Sequence, residues 1–320
     1  MELDVLKEIR WHLESALFYT ISYAVALLPQ RVALHAGRWL GLALFCLLKK
    51  RRRIAIDNIS QALPFLERQP GWTGGSPRSI ALETFKNLGR SIAEICKIYH
   101  GRGRDIIDAV EFRGLEHYRQ ALAKGKGVAV ITAHCGNWEL LALSFGARYH
   151  HVSSVARRQN NPQLNQVTEQ FRKAFGNGIF YRDGALRVML AAFKRNEVIG
   201  LLIDQAADPS EGILVDFLGR PAWTVRVPAL IARRSGAALL PVFIHREGGT
   251  HIATMHPEYL PSKAQDPEVC AAEDAAGLTR YIEDYVIQHP TQWYWIHKRW
   301  KRAPAASATS AHEQGGGDAK

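Results

Sequence analysis

The sequence has no CxxC pair: its four cysteines, Cys46, Cys96, Cys135 and Cys270, lie far apart. That spacing argues against a disulfide framework and a structural zinc site, and it fits a reducing compartment. The histidines outside the 130s show no HExxH or other ligand spacing, so neither a metal nor another cofactor is expected. There is no zinc-finger spacing, RNP-like aromatic block or basic heptad helix, which leaves nucleic acid without support as a partner. The first ten residues lack a basic n-region and a small-residue cleavage site follows nowhere clearly, so the N-terminus is expected to be retained. Internal repeats are absent as well.

Long hydrophobic runs are also missing. Residues 13–28 are almost wholly apolar, Pro29-Gln30-Arg31 interrupts, and residues 32–48 resume with only His35 and Arg38 polar. A full crossing wants about 20 apolar residues, so these runs suit a tilted anchor, a hairpin dipping into one leaflet, or two buried core helices. The run Lys49-Lys50-Arg51-Arg52-Arg53 follows directly, and basic residues beside an apolar segment bind anionic headgroups. Membrane association through residues 1–53 is therefore the expectation, with a solvated helix end as the plainer reading of the basic run.

What is present is length, basic charge and alternation. With 320 residues the chain can bury one large core, and 41 Lys plus Arg against 30 Asp plus Glu give a net charge of +11 that favours anionic partners. Residues 54–63 read as a helix, 64–77 as a Gly- and Pro-rich loop, and 78–99 as an amphipathic helix. Beyond 110, strands at 110–113, 128–132, 151–156, 198–204, 237–245 and 251–255 alternate with helices at 115–123, 138–145, 162–175, 185–194, 227–235 and 271–288. Such alternation predicts an α/β fold, a sheet flanked by helices. The domains read as 1–53, apolar helices and the basic cluster; 54–302, a catalytic domain; and 303–320, a disordered tail with too little apolar material to fold.

In 128–134, VAVITAH, a buried strand delivers His134 at its C-terminal end, where open α/β sheets place ligands. Glu139 lies five residues on, and on one unbroken helix the two would diverge. Gly136 permits a turn and Asn137 is a good N-cap, so a helix starting at Trp138 leaves His134 in the loop and turns Glu139 back toward it. The carboxylate then holds one imidazole nitrogen and leaves the other as a base. By spacing alone, a structural His–Glu pair explains the same residues. Cys135 is adjacent on a turn and reads as structural rather than nucleophilic. Arg157 and Arg158, after the strand at 151–156, offer guanidinium forks for phosphate, or simply a solvated turn; Arg220 and Arg226 are weaker candidates of the same kind.

The segment His134-Cys135-Gly136-Asn137-Trp138-Glu139 resembles the motif of the bacterial lipid A biosynthesis acyltransferases, a lauroyl and myristoyl transferase family that includes enzymes acting on mannosylated phosphatidylinositol. The likeness runs from about residue 51 to 302. It includes RIAIDNISQALP at 53–64, Tyr181-Arg182-Asp183, Asp204-Gln205, FLGRPA at 217–222 and QWYWIHKRW at 292–300. Leu218 and Val227 depart from the family pattern, which bears on the acyl pocket.

The resemblance implies a glycerolipid-acyltransferase-like sheet and an enzyme in which His134 and Glu139 are catalytic. Arg182, Asp204, Gln205 and Asn137 would contact substrate, with the Arg157 and Arg158 forks read above beside them. It implies an acyl chain passed from an acyl thioester, on acyl carrier protein or CoA, to a hydroxyl of a glycolipid such as a lipid A precursor. It places the chain at the cytoplasmic face of the bacterial inner membrane, against an anionic surface. Another lipid acceptor, a thioesterase or esterase using water, and a non-catalytic membrane-binding protein are the alternatives.

Overall fold

In the computed structural model, residues 2–72, 74–181 and 184–304 are described. Three helices open the chain: α1 (Glu2–Leu27), α2 (Gln30–Leu47) and α3 (Lys49–Leu66). Pro29 supplies the break between α1 and α2, since its fixed φ and missing N–H suit the edge of a helix. No single helix among the described residues is long and apolar enough to cross a membrane, although α2 and α3 together, bent by 92°, pass that test as a pair. The basic run is the first turn of α3, and that helix runs on through Pro64 to Leu66. The loop expected from 64 thus begins later: Pro64 gives up its own i→i−4 hydrogen bond, but it stands two residues before the helix ends and leaves little helix beyond it to disrupt.

α3 also crosses the boundary expected between 53 and 54. The inner faces of α2 and α3 join the main core: Phe45 and Ile59 belong to one buried cluster with Phe85, Phe193, Phe217, Trp293 and Trp295. α2 meets α4 (Pro77–Tyr99) at glycines. A Cβ on Gly37 or Gly41 would collide with the backbone of Gly89 or Phe85, and one on Gly89 with that of Gly37.

After the short α5 (Arg104–Asp108), the α/β portion follows: β1 (Glu111–Arg113), α6 (Leu115–Ala123), β2 (Val128–Thr132), α7 (Trp138–Arg148), β3 (Val152–Ala156), α8 (Pro162–Arg172), β4 (Gly178–Tyr181), α9 (Ala185–Lys194) and β5 (Val198–Leu202). A hairpin, β6 (Gly212–Phe217) and β7 (Arg220–Val225), interrupts it, and α10 (Val227–Ser235), β8 (Ala238–Glu247), β9 (Thr250–Met255) and α11 (Pro267–Gln288) complete it. Seven strands form one sheet in the order β1-β9-β8-β2-β5-β3-β4, parallel except where β8 meets β9. Val128 faces the second core cluster with Leu140, Leu143 and Phe145, whereas Ala129 and Ile131 face the first. This period of two on β2 is what helices on both sheet faces require.

The α/β expectation is met. β4 and the β6–β7 hairpin were not foreseen. β4 has no fully buried residue, so it carries little apolar signal. The hairpin carries FLGRPA: Leu218 and Gly219, both with positive φ, form its two-residue turn. Of the tail expected to be disordered, 305–320 lies outside the described residues.

Candidate active site

β2 and β5 are parallel neighbours, with Thr132 opposite Leu202. His134 and Asp204 therefore each lie two residues beyond paired strand ends, and Ile203 N–H continues the ladder to Thr132 O at 3.0 Å. Their meeting follows from register. Asp204 Oδ1 lies 2.8 Å from His134 Nδ1, and Oδ2 accepts from His134 N–H at 3.0 Å and from Trp293 Nε1–H at 2.9 Å. Burial alone would lift the Asp204 pKa, but the imidazole, these N–H donors and the charge of His134 hold it below the ordinary value. A carboxylate so held only accepts, so His134 Nδ1 carries the proton. The opposite nitrogen, Nε2, is left as an acceptor, with Gln205 Nε2 3.2 Å away.

Glu139 does not occupy the place expected for it. It stands in the first turn of α7, but its carboxylate receives Arg172 Nε at 3.0 and 3.2 Å and also Arg172 NH2, forming a forked ion pair with α8. The reason is positional: Asp204 already fills the Nδ1 side of the imidazole, and Arg172 on the neighbouring helix supplies Glu139 with a permanent cation. Asn137, expected to contact substrate, is 1% exposed and both ends of its amide are engaged. Its Oδ1 caps Leu140 N–H, and its Nδ2 donates to Glu94 at 2.9 Å. It therefore sets the start of α7.

Glu94 was not singled out from the sequence, since it looked like one more residue of an amphipathic helix. It is 2% exposed and receives Arg246 through both terminal nitrogens at 2.7 Å, and His251 Nε2 at 3.0 Å. Burial opposes its charge, yet His251 and Arg246 bring its pKa down to about 2. The segment after α11 closes the other side. Gly136 N–H donates to Gln292 O, Tyr294 N–H donates to His134 O, and the Gln292 side chain exchanges two hydrogen bonds with the Arg246 backbone. Gly136 has φ 52°, and a Cβ there would strike Ile244 O, so only glycine fits this turn. Trp138 packs edge-on against the His134 ring at 5.1 Å, with Tyr294 at 6.0 Å.

Arg157 and Arg158 are exposed just past the end of β3, and Arg158 lies over the Tyr181 ring at 3.9 Å. They share the C-terminal edge of the sheet with His134, two strands away in the order β2-β5-β3. Arg182 lies outside the described residues. Arg226 is committed to Glu268, and Arg220 lies over Trp300. Cys135 is buried and its thiol is pushed up to about 12 by burial, which suits packing rather than nucleophilic attack.

The model of the family described as bacterial lipid A biosynthesis acyltransferase matches residues 5–302. The lipid A biosynthesis lauroyltransferase of Escherichia coli K12 is 26% identical over 287 residues, covering 89% of this chain and 90% of that protein. A phosphatidylinositol mannoside acyltransferase of Mycobacterium tuberculosis H37Rv is 28% identical over 228 residues, 69% of each chain. The palmitoleoyltransferase of lipid A biosynthesis in Escherichia coli K12 is 23% identical over 291 residues, 88% of this chain and 89% of the other. With its match extending over the whole sheet, the His134 loop and nearly all of the N-terminal helices, this chain belongs to the bacterial lipid A biosynthesis acyltransferase family.

Proposed function

We propose that this acyltransferase moves a fatty acyl chain from an acyl thioester to a hydroxyl of a glycolipid, with a lipid A precursor as the acceptor, and that it works against the cytoplasmic face of the bacterial inner membrane. The observation that carries the reading is the His134–Asp204 contact at the C-terminal edge of the sheet, with Nε2 of the same ring turned away from the carboxylate. Nε2 takes the acceptor's hydroxyl proton. The oxygen attacks the thioester carbonyl, an ester bond forms as the C–S bond breaks, and the imidazolium returns its proton to the departing thiolate. Asp204 keeps the ring in the right tautomer and stabilises its charged form.

Glu139 and Arg172 hold the first turn of α7 beside the reacting atoms, so the catalytic part first expected of Glu139 becomes one of position. Gln205 lies within reach of the same nitrogen as the acceptor hydroxyl. Arg157 and Arg158, with Arg182, supply cations for a phosphorylated headgroup; neighbouring strands lie ~4.8 Å apart, so β3 stands roughly 10 Å from β2. Acyl carrier protein or acyl-CoA is the donor. The relatives named for lipid A and for phosphatidylinositol mannoside share an acceptor class, an amphiphilic sugar lipid.

The test is mass spectrometry of total lipids from cells with and without the gene, paired with purified enzyme, acyl donor and the lipid that loses its chain. Wild type is expected to restore the missing acyl group and His134→Ala to fail. Free fatty acid released as readily without acceptor would instead mark a hydrolase.

A further inference from the structure

The basic run at the start of α3 serves two directions. Arg51 lies two turns before Asn58, whose side chain donates to Trp295 O and His297 O, and its charge is felt at Tyr294 and His297. It faces the site. Lys49, Arg52, Arg53 and Arg78 face elsewhere, around an open hollow of about 260 Å³ that Ile56 and Asp57 also line. Residues 49, 52, 53, 56 and 57 follow the spacing of one helical stripe, and Arg78 comes from the first turn of α4.

The arrangement of these cations is unusual for a solvated helix end. The guanidiniums of Arg52 and Arg78 lie over the same Phe45 ring, 5.4 and 5.5 Å from its centroid, and Arg52 NH1 is tied to Phe45 O at 3.2 Å. Phe45 itself is 3% exposed, so the ring is a fixed platform. Among the described residues no carboxylate pairs with Lys49, Arg52, Arg53 or Arg78, although Asp57 lies on the rim. Like charges are thus gathered on a rigid base, and a multivalent anion would relieve their repulsion.

Beside the hollow, the outer face of α2 exposes Val32, Trp39, Leu40 and Leu47, with Leu48 at the corner. Apolar side chains next to a cationic cup match one occupant in both respects: an anionic phospholipid in a bilayer, its phosphate in the cup and its acyl region against α2. We propose that the α2–α3 corner is a phospholipid phosphate-binding site, separate from the His134 centre, that docks the enzyme on the membrane. It rests on the membrane-surface reading given above.

Vesicle flotation tests it, using full-length protein with vesicles of equimolar phosphatidylglycerol and phosphatidylcholine, or of phosphatidylcholine alone. Wild type is expected to bind the anionic vesicles more tightly, the preference fading with salt. Arg52→Gln/Arg53→Gln/Arg78→Gln should bind them at least ~10-fold more weakly, while Arg233→Gln/Arg234→Gln, on α10, keeps wild-type binding. Circular dichroism checks that the variants are folded. Wild-type binding with no loss in the triple variant would overturn the corner site alone. Indifference of wild type to vesicle charge, or retained vesicle binding alongside lost binding of inorganic phosphate, would overturn the lipid assignment. Failure of wild type to bind any vesicle would remove the membrane reading with it, and acyl transfer to detergent-dispersed acceptor would still report on His134 independently.

Discussion

Asp204 accepts three N–H groups while almost fully excluded from water, two of them from His134 and one from Trp293. Such a carboxylate fixes a ring rather than binding a mobile ligand. The sequence showed a candidate base and a carboxylate near it, but paired the wrong two, because nearness along the chain is a poor guide where a turn and a parallel strand intervene. The relevant signal was register: an Asp as far beyond β5 as His134 is beyond β2. Glu139 and Arg172 make a second pair, with side chains 17% and 28% exposed. Removing one partner strands the other, so Glu139→Ala is expected to destabilise by roughly 2 kcal/mol and to lower activity. Adding Arg172→Ala should recover part of the stability, which a double-mutant cycle by chemical denaturation reads directly.

Glu94 makes a pH prediction. Its folded pKa lies below the ordinary 4.5, at about 2. Its contribution is therefore fully present above the unfolded value and lost as pH falls from about 4 toward 2. Stability measured across that window should drop by on the order of 3 kcal/mol more in wild type than in Glu94→Gln, whose starting stability is lower.

At the scale of elements, the contact between α2 and α4 depends on missing side chains. Gly41 and Gly89 bring two backbones so close that a Cβ has only main-chain atoms to meet, which cannot swing aside. Gly89→Ala is expected to cost roughly 3 kcal/mol and to lower the melting temperature, with Gly249→Ala as a surface comparison, since nothing lies within reach of its Cβ. The long strands and helices were legible because their period is clear: β2, α7, α9 and α10 fall close to where alternation put them. β4 and α5 were not, being short and only partly buried or partly apolar. α3 was cut short at Pro64 because proline usually ends a helix, though its last turns tolerate one.

At the scale of the whole molecule, α2, α3 and the sheet share one core, so the second apolar run read from the sequence has two faces. The inner faces of α2 and α3 bury Phe45 and Ile59, and the outer faces of α1 and α2 expose Leu13, Leu17, Trp39 and Leu47. Periodicity could not tell an anchor from a core helix there, because these helices are apolar on both sides. Part of the basic charge is gathered in two places, the hollow lined by Lys49, Arg52, Arg53 and Arg78 and the end of β3 at Arg157 and Arg158. All of this frames one chemical claim, that Asp204 holds His134 as the base for acyl transfer. The direct measurement is steady-state acyl transfer by Asp204→Asn, with its fold checked by circular dichroism. The account predicts a fall in kcat of ~10³-fold or more with KM little changed; a kcat within about tenfold of wild type would contradict it.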